Sequence, residues 1–199
     1  MSAATGPRLL LRAAEVRGLP VVSIAQGEAL ADVKDVVYDP DQGRVLGFTL
    51  NKRGFLHGPL KAVLPIEDVV AIGRDAVMVV DGGLSEGEVG VFSDDVRSSS
   101  GRDVVGDDVL TDGGRRLGKV LDIVIAADDG EVLGYELEGD PELQGRSGRP
   151  LFLPIPDTLA VSGTALVVPA GAEPFIRDDL SGFGSAVVEF RAHLSEGRP

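Results

Sequence analysis

Residues 30–50 read LADVKDVVYDPDQGRVLGFTL, and residues 117–137 read LGKVLDIVIAADDGEVLGYEL. The offset is 87 residues, and from Val22/Val109 to Leu50/Leu137, 12 of 29 positions are identical without a gap. A match of that length marks a duplication, so whatever the first copy folds into, the second must fold into as well. Each copy reads as two extended segments around a tight Asp/Gly turn. A chain of 199 residues then divides into two units of about 85 residues each rather than one large domain.

Along the first copy, strands are expected at residues 21–24, 30–38, 44–51, 61–64, 69–73 and 76–80, with a single helical turn at 65–68. Six short strands at turn-limited spacing favour a small closed barrel, which also removes free strand edges. In the third strand Leu46, Phe48 and Leu50 alternate with Val45, Gly47 and Thr49. The Leu/aromatic/Leu face is assigned to the core, as are Leu133, Tyr135 and Leu137 in the second copy. Gly47 and Gly134 mark places where the strand coils sharply or another backbone comes close. Residues 9–17 fit one or two helical turns leading into the first barrel. Ala186, Val187, Phe190 and Leu194 have helical spacing and predict a short amphipathic helix over 185–194. The expected organisation is a first unit at 9–81, an acidic Gly/Ser linker at 82–103, a second unit at 104–171 and a tail at 172–199.

Composition narrows the chemistry. There is no Cys, which excludes disulfides, thiolate metal sites and Cys nucleophiles. The formal net charge of −13 repels phosphate backbones and anionic headgroups, so direct nucleic-acid or membrane-surface binding is not expected. No apolar run approaches the ~20 residues of a membrane-spanning helix, and the N-terminus lacks the apolar core of a signal peptide. The expected compartment is the cytoplasm. The two histidines, His57 and His193, have neither the number nor the spacing of a metal site, and no nucleophile elbow, P-loop or dinucleotide fingerprint is present. No catalytic residue, metal or cofactor is therefore assigned.

Two features remain. Asp35 and Asp122 sit mid-strand between valines; a carboxylate there normally accepts backbone N–H bonds from an adjacent turn or pairs with an Arg. Both are read as structural, and Asp35→Ala is expected to destabilise the first barrel. The long connections at 52–59 and 139–150 carry the only local departure from acidity: Lys52, Arg53 and His57 in one, Arg146 and Arg149 in the other. With Phe55 exposed among the cations of the first, these residues form the candidate docking patch for an acidic partner.

Several runs resemble a known family. They are Gly18-Leu19-Pro20-Val21-Val22, the Val-x-Asp-Val-x-x-Asp run at 33–39, Gly43-Arg44-Val45-Leu46-Gly47, the Val-Leu-Pro-Ile-Glu-Asp-Val segment at 63–69, and Ile-Gly-x-Asp-Ala-Val at 72–77. The second copy keeps most of this but lacks the first-strand Pro and has Pro156 in place of Glu67. The pattern is similar to the PRC-barrel family, named for the cytoplasmic domain of the photosynthetic reaction-centre H subunit and including the C-terminal domain of the ribosome maturation factor RimM. The resemblance implies a mainly β chain of two tandem PRC-type β-barrels with a short C-terminal helix. It also implies a docking or assembly module without shared catalytic residues. The leading expectation is a non-enzymatic cytoplasmic interaction or scaffold protein with an unknown protein partner. A ribosome-assembly or RNA-processing accessory factor docking a ribosomal protein is the first alternative, and a small-molecule-binding or membrane-complex assembly protein the second. The two barrels can relate as the halves of a homodimer do, and a homodimer of the whole chain is a further option.

Overall fold

The computed structural model describes residues 8–39, 42–53, 58–80, 104–139, 149–155, 161–162 and 165–196. His57, Phe55 and Arg146 lie outside them, as do residues 82–103 assigned to the linker.

The chain opens with a short strand, β1 (Leu10–Arg12), and one turn of helix, α1 (Ala13–Val16). The first sheet follows: β2 (Pro20–Ser23), β3 (Ala29–Asp39), β4 (Arg44–Asn51), β5 (Pro59–Pro65), β6 (Val69–Ile72) and β7 (Val77–Val79). A 3₁₀ turn at Ile66–Asp68 joins β5 to β6, where Pro65 ends the ladder. The strand order is β5-β4-β3-β2-β7-β6, so the two end strands are consecutive in the chain. The second copy supplies β8 (Asp108–Thr111), β9 (Arg116–Ala126), β10 (Val132–Gly139), β11 (Leu151–Pro154), β12 (Val161–Ser162) and β13 (Ala165–Val168), ordered β11-β10-β9-β8-β13-β12. Both copies pair their first strand with their last in parallel, β2 with β7 and β8 with β13. A 3₁₀ segment, Ala170–Phe175, and a 17-residue helix, α2 (Leu180–Glu196), complete the chain.

Three sequence expectations need correction. The copies are not gapless as far back as Val22. Val21 pairs with Ala31 and Val109 with Gly118, so Val21 and Val109 correspond at an offset of one more residue than the later strands. The turn after the first strand is one residue longer in the first copy. Second, Leu46 does not share the core face with Phe48 and Leu50. A register shift between Val37 and Tyr38 interrupts the alternation, and one slipped residue turns the side chain to the other face. Phe48 and Leu50 are fully buried and Leu46 only half-buried.

Third, the N-terminal arm serves both sheets rather than the first alone. β1 pairs antiparallel with β9 of the second, Leu10 opposite Ala126 and Arg12 opposite Val124. Leu11 is buried there, and Arg8 donates to Asp128 at 2.9 Å and Glu131 at 2.9 Å. The expected helical turn is there as α1, packed on both β3 and β9, but Leu10 and Leu11 before it cross to the partner unit.

The units also meet through their hairpin turns. Val45 N–H donates to Gly130 O at 2.7 Å and Val132 N–H donates to Gly43 O at 2.8 Å. These bonds exchange under the 87-residue offset, the reciprocal pattern of a two-fold seam. A single buried cluster runs through both units, from Val21, Phe48 and Val77 to Val109, Tyr135 and Leu166.

The second unit has an additional layer. α2 and β1 cover the outer face of β9, β10 and β11 and enclose a separate cluster of Val124, Ala126, Leu133, Phe152, Phe183 and Val187. Phe183 packs on Phe152 with ring centroids 5.9 Å apart. The helix starts five residues before the expected 185, because Asp179 accepts from Gly182 N–H at 2.7 Å and caps a glycine-containing first turn of poor intrinsic propensity.

Candidate docking surfaces

Of the cations singled out in the sequence, Lys52, Arg53 and Arg149 lie among the described residues. β4 and β10 touch at their beginnings, through an antiparallel bridge between Arg44 and Glu131. Lys52 is exposed, and its N–H donates to Gly58 O at 2.9 Å across the corner between β4 and β5. Arg53 lies 3.6 Å from Asp32, and Arg149 lies 3.5 Å from Asp178. Exposed pairs at these distances hold little energy and leave the cations accessible.

A surface that sequence reasoning missed lies on the other side of the first sheet. Ile24 is 53% exposed, Val70 53% and Val80 61%. Val22 and Met78 are adjacent and half-buried, directly paired on β2 and β7. Ile24 N–H donates to Val79 O at 2.8 Å, which continues that pairing to the end of β7. Val70 sits on β6 where the register shifts between Val69 and Ala71. The five apolar side chains share one outward face of β2, β7 and β6. The signal was present in the alternation of residues 20–24 and 77–80, but alternation does not say which face remains uncovered.

An open groove of about 880 Å³ runs between the N-terminal arm and α2, with Leu10, Leu133 and Val187 among its walls and Arg8, Arg74 and Arg191 at its rim. Its acids are already engaged, Glu15 with Arg12 at 3.2 Å and Glu189 with Arg177 at 3.4 Å. Among the described residues, no group of three or more His, Cys, Asp or Glu is placed to hold a metal ion. No helix among them is long and apolar enough to cross a membrane.

Two barrels of this topology, joined at a two-fold seam, have a counterpart in sequence: a family model for the PRC-barrel domain matches residues 10–83 and 97–173. The chain belongs to the PRC-barrel domain family. No curated protein matches it. In this PRC-barrel protein the first matched segment begins at Leu10, so it includes the arm that crosses to the second barrel.

The two PRC-barrels treat their equivalent acids differently. Asp122 is only 5% exposed; its carboxylate accepts from Ala14 N–H at 2.8 Å and Ile123 N–H at 2.9 Å. It thereby fixes α1 onto the second barrel. Burial pushes its carboxyl above the usual range, against the pull of those two N–H groups. Glu136, directly opposite in register, is raised by burial too, with Arg12 at 3.6 Å opposing. Asp35 is exposed instead, holding Arg17 Nε at 2.9 Å and Val36 N–H at 3.0 Å. Both carboxylates thus accept from N–H groups or pair with an Arg, but Asp35 does so at the surface. Gly47 and Gly134 are close-approach positions. A Cβ would meet Leu64 O at 2.2 Å in the first barrel and Leu153 O at 2.1 Å in the second.

Proposed function

We propose that this protein is a non-enzymatic interaction module whose first barrel presents an apolar sheet face to a protein partner. The observation that carries the reading is the contiguous face of Val22, Ile24, Val70, Met78 and Val80 on a chain of net charge −13. Large apolar side chains grouped on one sheet face, rather than scattered, are the usual mark of a contact surface. Among the described residues, buried Val, Leu and Phe side chains pack the barrels, as is usual for barrels this small.

The test is affinity co-purification from the native host with and without RNase, comparing the parent protein with Val70→Glu/Val80→Glu. Both positions are exposed, so the variant is expected to keep its unfolding temperature and to lose a discrete partner. Equal recovery of every partner by the two proteins would overturn the reading. Recovery of ribosomal proteins through this face would place the partner in ribosome assembly.

A further inference from the structure

The two barrels carry the same outer face on β3–β4–β5 and on β9–β10–β11, and the second shows what such a face accepts. Phe152 N–H donates to Arg177 O at 2.7 Å and Arg177 N–H donates to Phe152 O at 3.1 Å, so the strap before α2 adds to the free edge of β11. α2 then lays Phe183 and Val187 over Val124, Leu133 and Phe152. The tip of the Phe183 ring lies over Gly134, where it would stand 2.7 Å from an added Cβ. Asp178, on the same strap, lies 3.5 Å from Arg149 at the corner of the strand.

In the first barrel the counterparts Val37, Leu46 and Val63 are half-buried and, among the described residues, join neither buried cluster. β5 ends its sheet, and among the described residues Val63 has a strand partner only on the β4 side, at Thr49. Gly47 has the same close backbone, and the three atoms nearest an added Cβ there are all backbone, of Leu64 and Pro65. The corner carries Lys52 and Arg53, the positive charge that Arg149 supplies in the second barrel.

We propose that the outer face of β3, β4 and β5 is a docking site for an acidic segment of a partner protein. The segment adds to β5 in extended form and continues as an amphipathic helix that sets an aromatic ring over Gly47. Strand addition supplies backbone bonds, and the helix supplies apolar cover. The chemistry is that of the chain's own strap, where paired aspartates precede a helix bearing Phe at one position and Val four residues on. Lys52 and Arg53 complement the acidic pair. Residues 81–103 are a poorer source: they contain five glycines and the run Ser98-Ser99-Ser100, a composition with low helix propensity.

This inference rests on the interaction-module reading but uses a different face, so its failure leaves the test of Val70 and Val80 standing. The experiment titrates a fluorescein-labelled peptide of residues 174–196 into the full-length protein and follows anisotropy. Saturable one-to-one binding is expected, weakened by salt and at least about tenfold by Lys52→Glu, by Leu46→Asp, or by Phe183→Ala in the peptide. Lys52 is exposed, so its variant keeps the fold even if Leu46→Asp does not. Absence of saturable binding, or binding indifferent to Lys52→Glu and to Phe183→Ala in the peptide, would overturn the proposal. So would crosslinking of the peptide to β11 alone, or of Val63→Cys to residues 81–103 in the free protein.

Discussion

Glu136 and Asp122 face each other across β9 and β10 beneath the N-terminal arm, and burial raises both carboxyls. A carboxyl whose folded pKa exceeds its unfolded one binds more protons when folded. Its charging therefore disfavours folding above the folded value, and the penalty vanishes below the unfolded one, about 4.3 for Glu. Glu136→Gln removes the penalty. The variant is expected to melt higher than the parent at pH 7, and the gap should narrow as the pH falls toward 4. Glu131 works in the opposite sense. Burial pushes it up, but Arg191 and Arg8 hold it below the usual range. That contribution is present at neutral pH and lost as the pH falls through the folded value. Melting both proteins across pH 4–8 isolates the Glu136 effect, because the Glu131 loss is common to the two. A gap constant with pH would show that Arg12 balances the burial of Glu136.

The elements that could be read from the sequence are those set by local pattern. Alternation and turn chemistry placed β4 and the 3₁₀ turn after Pro65, and the glycines at 47 and 134 announced their close contacts. What could not be read depends on neighbours distant in sequence. Residues 9–17 have an apolar pattern equally suited to covering either barrel, and pattern alone does not say that Leu11 is buried where β1 pairs with β9. The equivalence of Asp35 and Asp122 hid a difference, since a backbone N–H of α1 donates to Asp122, whereas Asp35 meets the exposed Arg17 side chain at the end of α1. Asp122→Ala removes the acceptor that holds α1 and leaves Ala14 N–H unpaired, at a cost of about 1–3 kcal/mol. Asp35→Ala loses an exposed pair with Arg17, within about 1 kcal/mol, a smaller loss than its position in the sequence suggested. Urea unfolding of the two variants measures the difference; equal losses would mean that α1 is not anchored through Asp122.

At the scale of the whole molecule, the duplication behaves as a covalent dimer. The hairpin turns exchange backbone bonds at Val45/Gly130 and Val132/Gly43, the arm of one unit completes the sheet of the other, and one apolar cluster runs through both. An interface of this kind resembles a domain core cut in two, and it does not depend on the connecting residues to hold it. Residues 1–96 and 97–199, co-expressed as separate chains, are therefore expected to co-purify as a one-to-one complex that unfolds in a single cooperative transition. Each half alone lacks its partner's contribution: the second loses β1 and α1, exposing Leu133 and Asp122 beneath them, and the first loses the cover that Gly130 and Val132 give its turn. Expressed singly, both halves should be less stable than the complex, with the second binding a hydrophobic dye at the uncovered edge of β9. Independent folding of both halves, with no association at micromolar concentration, would show instead that the seam is a contact enforced by the linker. The crossing arm would then be a consequence of tethering rather than part of the fold's stability.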